Sequence, residues 1–444
     1  MFRRVQGCVK QMDQANIGPT TSPAPEGEKA KQDKPSFLST LGPGLITGAA
    51  DDDPSGIATY SQAGAQYGYA MTWVMLFSYP LMAVTQVISA RIGAVTGKGI
   101  ARNLRLHYPP WVLRLAVVLL LIANVANLGA DLGAMASGVT LLVGGPGPLY
   151  VVGFALVCVL AEVFIGYQRY ASILKYLTLS LFAYVGVVFA VHVPWGEAIY
   201  SLIVPQMKFD AAHAEMLVAI LGTTISPYLF FWQAAQEVEE LRDRRQRSLI
   251  HNKNAAAELK RIDTDTWVGM GYSNLIALFI IIATAATLHA SGKTDIQTAS
   301  DAAEALRPVA GAATFWLFAC GIIGTGMLAV PVLAGSGAYA IAETFGWREG
   351  LDLKPRQARG FYATIIVATL AGMALNFVGI DPIKALYWSA VLNGLLAAPL
   401  MVLMLLIASN GEIMGKQVPN RWLIWVGWLA TVVMVVATLA FFVL

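Results

Sequence analysis

The sequence predicts an all-α membrane protein built from two inverted repeats of five transmembrane helices, followed by an eleventh helix. Three observations lead to this fold class. Of the 444 residues, 57% are hydrophobic and 13% are charged, with a mean hydropathy of +0.60, outside the range of soluble globular proteins. About eleven apolar windows have the length of roughly 20 residues that spans a bilayer. Two of these windows, five spans apart, contain helix-breaking residues.

The apolar windows divide the chain into spans and connections. The predicted spans are 38–67 (broken), 69–95, 111–141, 148–167, 171–193, 214–238 (broken), 264–290, 311–342, 359–379, 382–408 and 421–443. Residues 1–36 are polar, so we expect a disordered cytoplasmic tail and not a cleavable signal peptide. The predicted organisation is a first repeat over 37–193, a second repeat over 194–408, and a loop with the eleventh span over 409–444.

The first interruption is an acidic segment in the middle of the first span. Ala50 to Gly56 reads Ala-Asp-Asp-Asp-Pro-Ser-Gly and lies between two apolar flanks. A charged side chain at the centre of a spanning helix costs about 2.5–3.5 kcal/mol on insertion scales, so three consecutive aspartates cannot all face lipid. Pro and Gly break the helix, and the freed backbone groups must line protein or a watery cavity. This combination is typical of transporters that bind cations.

A second interruption lies in the sixth span. Gly222–Tyr228 separates the apolar segment Leu217–Leu221 from Leu229–Gln233. Interrupted spans at corresponding positions of two halves mark an inverted repeat with a substrate site at the interface of the repeats. The prediction of a repeat rests on the matched breaks alone, because no sequence identity is visible between the two halves.

Basic residues are concentrated in the connections that follow even-numbered spans. These residues are Lys98, Arg102, Arg105, Arg169, Lys175, Arg242, Arg244, Arg245, Arg247, Lys253, Lys260, Arg261, Arg348, Lys354, Arg356, Arg359, Lys416 and Arg421. The opposite connections hold only Lys208, Lys293, Arg307 and Lys384. The positive-inside rule then places the N-terminus in the cytoplasm and the C-terminus outside. We expect a multi-pass protein of a bacterial-type inner membrane, surrounded by lipid and without a nucleic-acid partner.

Several short motifs follow one another in the order of a known transporter family. Gly42-Pro43-Gly44 and Asp53–Gly56 look like its GPG…DPGN, Gln86 with Arg91–Gly93 and Thr96–Lys98 looks like its Q…RLG..TGK, Ala130–Leu132 looks like its ATD-x-AE, and Ser226–Tyr228 occupies its MPH position. On these motifs the chain resembles the NRAMP family of divalent metal transporters. The resemblance implies a LeuT-type fold with helices 1 and 6 broken, alternating access and a metal site at mid-membrane.

Some positions of the implied metal site depart from that family pattern. Asp53 is kept, Gly56 stands where the family has Asn, Thr223 aligns with an alanine whose carbonyl binds metal, and Ser226 replaces the metal-binding Met. The resemblance implies that these four residues form the metal site. A thioether favours softer ions and oxygen ligands suit hard ions, among which Mg²⁺ keeps several waters. The pattern therefore resembles the NRAMP-related magnesium and manganese branch that lacks the Met.

Other polar residues are candidates for a vestibule around the metal. Asp51 and Asp52 add negative potential beside Asp53. Tyr228 and Gln233 stand where the family has His. Asn393 in the tenth span corresponds to a polar residue of the family. We expect these five residues to surround the path of the ion.

Further along the chain, Asp131 is a candidate for a proton or ion route, although its acidic family partner is Ala134 here. A relay needs groups that titrate along the path, and the loss of several makes coupling to protons weak. Beyond Gln233, residues Glu237, Glu239 and Glu240 are expected to form a solvated helix end.

Each candidate also has a plain structural interpretation. Asp53 can cap the half-helix that begins near Ser55, and a capping carboxylate can still bind metal. Thr223 and Ser226 can satisfy backbone groups freed by the break. Tyr228 can be a packing aromatic, and Asp131 can form a structural hydrogen bond.

The sequence thus predicts an alternating-access transporter of divalent metal cations, Mg²⁺ and/or Mn²⁺, weakly or not coupled to protons. The alternatives are a proton-coupled Mn²⁺/Fe²⁺ NRAMP symporter and, more remotely, an amino-acid permease, whose substrate carboxylate the aspartates would repel. An intramembrane aspartyl protease needs a second facing aspartate motif, and an ATPase needs a Gly-rich phosphate loop. Neither is found, so we expect no enzyme and no cofactor.

Overall fold

The computed structural model describes residues 43–165, 178–244, 248–250, 252 and 255–444. The predicted tail 1–36, part of the fifth span, and Arg169, Lys175, Arg245, Arg247 and Lys253 lie outside the described residues. The longer helices are α1 (Pro43–Asp51), α2 (Pro54–Tyr67), α3 (Thr72–Thr96), α4 (Ile100–His107), α5 (Pro110–Val143), α6 (Gly147–Phe164), α7 (Phe182–Ala190), α8 (Trp195–Ile203), α9 (Ala211–Thr224), α10 (Pro227–Asp243), α11 (Ala255–Thr284), α12 (Thr314–Phe345), α13 (Arg359–Leu375), α14 (Pro382–Ser409) and α15 (Arg421–Val443).

The predicted all-α membrane class is confirmed. Within the described ranges, eight helical segments are long and apolar enough to cross a membrane, and Leu179–Ala190 and Arg359–Leu375 are shorter apolar helices. The seventh span differs most from its prediction, because α11 begins at Ala255 and not near residue 264. Its polar first turns are stabilised by ion pairs, among them Arg261 Nε to Glu258 Oε1 at 2.9 Å. The predicted division into repeats remains a prediction.

Both interruptions are present, and both are shorter than predicted. The first span is unwound only between Asp51 and Pro54, and the sixth only between Thr224 and Pro227. Each second half-helix begins with proline at its first helical position, where the missing N–H would have no partner and the fixed φ suits a helix. Gly222, predicted to lie in the second break, is instead part of α9.

The broken spans occupy the middle of the bundle. In its most apolar window, the span Ala211–Asp243 is 89% buried, whereas the windows of α6 and α15 are each 28% buried. The helices α1 and α2 pack on α11, and α9 packs on α14. The breaks are therefore shielded from lipid, and α6 and α15 lie at the periphery.

Two glycines allow the half-helices to approach their neighbours closely. A β-carbon on Gly48 of α1 would lie 2.2 Å from the Gly269 carbonyl oxygen of α11. A β-carbon on Gly222 of α9 would lie 2.0 Å from the Ala390 carbonyl oxygen of α14. Small residues at such contacts let helix backbones pack directly in membranes.

The end of α10 corrects one prediction. Glu237 and Glu239 are buried and do not form a solvated end. Glu239 accepts hydrogen bonds from the Tyr339 hydroxyl at 2.5 Å and from the Leu351 N–H at 2.9 Å. Both partners come from distant parts of the sequence and cover α10, so the local polar pattern could not reveal this burial.

Candidate functional site

The two breaks meet through Tyr228 at the start of α10. Its hydroxyl lies 3.3 Å from Asp53 Oδ2 and 3.3 Å from the Ala50 carbonyl oxygen. Tyr228 is 1% exposed. This side chain therefore joins α10 to the α1–α2 break and is more than a packing aromatic.

Asp53 caps the start of α2, as its plain structural interpretation expected. Its Oδ1 accepts from the Gly56 N–H at 2.8 Å and from the Ser55 hydroxyl at 2.6 Å. Its Oδ2 faces Tyr228 and keeps lone pairs beyond that bond, because an ionised carboxylate offers about four acceptor positions. Capping thus leaves one oxygen of Asp53 able to bind a cation.

Asp51 and Asp52 share one hydroxyl of α11. The Ser273 hydroxyl lies 2.6 Å from Asp51 Oδ2 and 3.1 Å from Asp52 Oδ1, while Asp51 Oδ1 and Asp52 Oδ2 have no hydrogen-bond partner. All three aspartates at the break are at most 2% exposed. Across the described ranges, no Lys or Arg forms an ion pair with any of them. Buried carboxylates without a basic partner are costly unless a proton or a cation accompanies them.

Two further predicted metal-site residues, Gly56 and Thr223, lie next to Tyr60. The Thr223 hydroxyl donates to the Tyr60 hydroxyl at 2.9 Å, or to the Ile220 carbonyl at the same distance. A β-carbon on Gly56 would lie 3.2 Å from the Tyr60 ring. The break therefore brings Asp53, Gly56 and Thr223 into one connected group.

Ser226 satisfies backbone groups at the second break, as its plain interpretation expected. Its hydroxyl donates to the carbonyls of Gly222 at 2.8 Å and Thr223 at 2.7 Å. Its oxygen still has lone pairs to offer. A part in metal binding for Ser226 remains a prediction.

The donor set at the break consists of oxygens. Among the described residues, no three Asp, Glu, His or Cys side chains form a group that could hold a metal ion. A cation here would be bound by at most two carboxylates, completed by hydroxyl, carbonyl or water oxygens. Such a set suits an ion that keeps part of its hydration.

Gln233 and Asn393 lie in hydrogen-bonded contacts between helices. Gln233 accepts from the Thr47 hydroxyl of α1 and donates to Glu237 Oε1 at 2.9 Å. Asn393 of α14 accepts from Asn127 Nδ2 of α5 at 2.8 Å. Gln233 therefore holds α1 against α10. Asn393 contacts α5 at Asn127, one helical turn before Asp131.

Asp131 is fully buried, and neither of its carboxylate oxygens has a hydrogen-bond partner among the described residues. The structural hydrogen bond that was its plain interpretation is not formed.

One turn further on, Met135 was missed by sequence reasoning. A β-carbon on Gly326 would lie 2.8 Å from Met135 Sδ and 3.3 Å from Pro54 Cγ. A thioether thus lies beside the first break, supplied by α5 and not by α10.

Tyr60 and Ser273 were missed as well. Tyr60 carries a signal in the sequence, because it follows Gly56 by one helical turn and shares its face of α2. Ser273 carries none, since it lies on α11, far from the aspartates along the chain.

The two sides of the break differ in packing. On one side, the Gly44 N–H of α1 donates to Asp265 Oδ2 of α11 at 2.8 Å. On the other side, a pocket of 250 Å³ lies between the end of α2 and the starts of α9 and α14. Gln62, Glu215, Asp295 and Tyr387 line this pocket, which reaches Ala58.

Comparison with known proteins decides the family. Residues 44–444 match the family described as natural resistance-associated macrophage protein-like, Nramp. The chain belongs to the Nramp family. It is 25% identical over 429 residues to the divalent metal cation transporter MntH of Klebsiella pneumoniae strain 342, covering 94% of this chain and 96% of that protein. It is 26% identical over 407 residues to MntH of Deinococcus radiodurans, covering 90% and 88%.

Solved structures show the same architecture. A manganese transporter of Eremococcus coleocola superposes with a TM-score of 0.71 at 19% identity, covering 94% of this chain and 88% of that one. A nucleobase-cation-symport-1 family transporter, Mhp1, superposes with a TM-score of 0.53 at 15% identity, covering 90% and 91%. The predicted LeuT-type fold is thus confirmed. This Nramp chain is an integral multi-pass membrane protein and a transporter, not an enzyme.

Proposed function

We propose that this Nramp chain moves divalent metal cations, Mg²⁺ and/or Mn²⁺, across the membrane by alternating access. The observation that carries the proposal is the set of three buried aspartates at a helix break, without a basic partner among the described residues. A passing cation supplies the positive charge that balances these carboxylates. The names of the relatives, divalent metal cation transporter and manganese transporter, support the same class of substrate.

In this proposal Asp53 is the principal metal ligand, through the oxygen that does not cap α2. Gly56, Thr223 and Ser226 line the site with backbone and hydroxyl oxygens and leave room for water. Asp51, Asp52 and Tyr228 form the vestibule beside it. Gln233 and Asn393 lie further along the path of the ion, at helix contacts that must change when the transporter changes state.

The unequal packing of the two sides supports alternating access. In this proposal the pocket at Gln62 and Glu215 would be the entry for ions on one side. On the other side, α1 is hydrogen-bonded to α11 and α10. Separation of α1 from Asp265 and Gln233 would open the closed side. With the predicted orientation, N-terminus in the cytoplasm and C-terminus outside, the pocket would face the exterior of a bacterial-type inner membrane.

Selectivity for hard ions rests on the oxygen donors at the two breaks. Ser226 supplies a hydroxyl where a thioether would favour softer ions. The sulfur of Met135 packs against Gly326, so we assign it to the wall of the site and not to the ligands. Mg²⁺ is then a competitor of Mn²⁺, and Ca²⁺ is disfavoured by the small number of carboxylates.

Weak or absent coupling to protons completes the proposal. Tyr228 stands at the position of a titratable histidine, and a tyrosine stays neutral at physiological pH. A second candidate function, a proton-coupled Mn²⁺/Fe²⁺ symporter, is favoured by Asp131, a buried carboxylate without a hydrogen-bond partner among the described residues. The two candidates differ in whether protons accompany the metal.

Uptake by the purified protein in liposomes tests the proposal. Mg²⁺, Mn²⁺ and Ca²⁺ would each be offered outside while the internal metal and the internal pH are recorded. We expect entry of Mn²⁺ and Mg²⁺, little entry of Ca²⁺ and no metal-driven acidification. Absence of uptake of all three ions would refute divalent metal transport, and acidification that tracks Mn²⁺ would favour the symporter.

A further inference from the structure

An open apolar groove runs along the outer surface of the bundle, away from the two breaks. It has a volume of 360 Å³ and lies between α5, α12 and α13. Leu121 and Val125 form one wall, Ile341 forms the other, and the floor is the face of α13 that carries Val367 and Ala371. Val367 is 65% exposed, so the groove is open to whatever surrounds the bundle.

One end of the groove coincides with three helix ends. Near it α5 begins, α12 ends and α13 begins, so this end lies at a membrane surface. Trp347 closes it, stacked on Phe345 with ring centroids 5.0 Å apart, and packs over the backbone of Gly360. Tryptophan is enriched at the level of lipid headgroups. From Gly360 to Ala371, α13 rises about 16 Å, roughly half of the 30 Å hydrocarbon core. The groove therefore spans one leaflet.

Three exposed arginines lie next to that end along the chain. Arg348 follows Trp347, Arg359 precedes Gly360, and Arg114 lies two turns before Leu121 on the same face of α5. In the described part of the chain, no carboxylate forms an ion pair with any of the three. A fourth, Arg105, donates to the Glu343 carbonyl at 3.2 Å nearby. Within the described residues, the end of the groove therefore presents arginines whose charge no ion pair neutralises.

We propose that the groove binds one anionic phospholipid of the leaflet at this surface, which the predicted topology makes the cytoplasmic one. An acyl chain lies along α13 between α5 and α12, and the headgroup phosphate lies among Arg114, Arg348 and Arg359. Basic pockets between transmembrane helices bind anionic headgroups in this way, and guanidinium groups match phosphate oxygens in geometry. A second copy of the chain fits less well, because a two-fold interface at this groove would bring the arginines of both copies together.

Native mass spectrometry of the purified full-length protein, incubated with phosphatidylglycerol or phosphatidylcholine of the same acyl chains, tests this site. We expect wild type to retain phosphatidylglycerol at several-fold lower lipid concentration than phosphatidylcholine. Arg348→Gln combined with Arg359→Gln should remove this preference. Val367→Trp, which fills the groove, should reduce retention of both lipids.

Two matched variants control for general effects. Arg421→Gln removes an exposed arginine at the start of α15, and Val432→Trp enlarges a valine that is 54% exposed on α15. Both should retain lipid as wild type does. The proposal is overturned by equal retention of the two lipids, by an equal effect of Arg421→Gln, or by no effect of Val367→Trp. It is also overturned if the spectra show a dimer that Val367→Trp dissociates.

Discussion

At the scale of single residues, the chemistry of the site depends on which atoms remain free after local hydrogen bonds are made. Asp53 uses Oδ1 to cap α2 and presents Oδ2 toward Tyr228. Ser226 uses its proton on two carbonyls of α9 and keeps its lone pairs. Under the proposed function, each of these two residues would stabilise its helix break with some of its hydrogen-bonding capacity and bind the ion with the rest.

Ser226→Met is expected to move selectivity toward softer ions. The substitution restores a polarisable sulfur at the second break, so Cd²⁺ should compete with Mn²⁺ more strongly and Mg²⁺ less strongly than in wild type. Competition assays in liposomes measure both effects. Ser226→Ala is the control, because it removes the hydroxyl without adding sulfur. An unchanged order of Cd²⁺ and Mg²⁺ in Ser226→Met would argue against Ser226 as part of the site.

At the scale of helices, the half-helix α1 is positioned by a close backbone approach to α11 together with hydrogen bonds to side chains of α10 and α11. Gly44 donates its N–H to Asp265, and Gly48 lies against Gly269. The Gly48–Gly269 contact is between backbones and leaves no space for a β-carbon. Under the proposed function, separation of α1 from α11 would open one side of the site.

Gly48→Ala should disrupt this contact. Its β-carbon would overlap the Gly269 carbonyl at 2.2 Å, and overpacking of this kind costs about 1–3 kcal/mol. We expect a lower apparent Tm in detergent and reduced Mn²⁺ uptake. Gly153→Ala on α6 is the matched control, since nothing lies within 4 Å of its added β-carbon. Equal Tm values for the two variants would show that α1 does not need this close approach.

The helices and their breaks could be predicted because their signals are local. Apolar length, Pro54 and Pro227 identify the spans and the two interruptions, and the aspartates next to Pro54 identify the cap. The partners Ser273 and Tyr339 could not be predicted, since they reach the site from distant helices. For the same reason the burial of Glu237 and Glu239 was missed, and Met135 was not associated with the break.

At the scale of the whole molecule, the energetics of transport depend on what moves with the metal. The membrane potential contributes about 2.3 kcal/mol per elementary charge per 100 mV, and twice that for a divalent ion. Together with a metal gradient, this is enough to drive uptake without protons. Under the proposed function, this Nramp chain would therefore need no proton relay between the two sides of the membrane.

Asp131→Asn tests whether protons take part. We expect Mn²⁺ uptake to continue in this variant, because its carboxylate has no relay partner at Ala134. Neither wild type nor the variant should acidify the liposome interior during uptake. Acidification that follows Mn²⁺ in wild type and disappears in Asp131→Asn would show that a relay through α5 operates.

The central claim, that Asp53 binds the transported metal, is tested most directly by Mn²⁺ uptake of Asp53→Asn in liposomes. Asparagine caps helices as well as aspartate does, so the variant removes the charge while keeping the acceptor for Gly56. Asp381→Asn is the matched control, because Asp381 caps α14 before Pro382 in the same way, with Oδ1 2.9 Å from the Ile383 nitrogen. We expect Asp53→Asn to lose more than about tenfold in uptake, since even residues that only orient a metal ligand contribute 10–100-fold, and Asp381→Asn to transport like wild type. Uptake by Asp53→Asn at the wild-type rate would contradict the account.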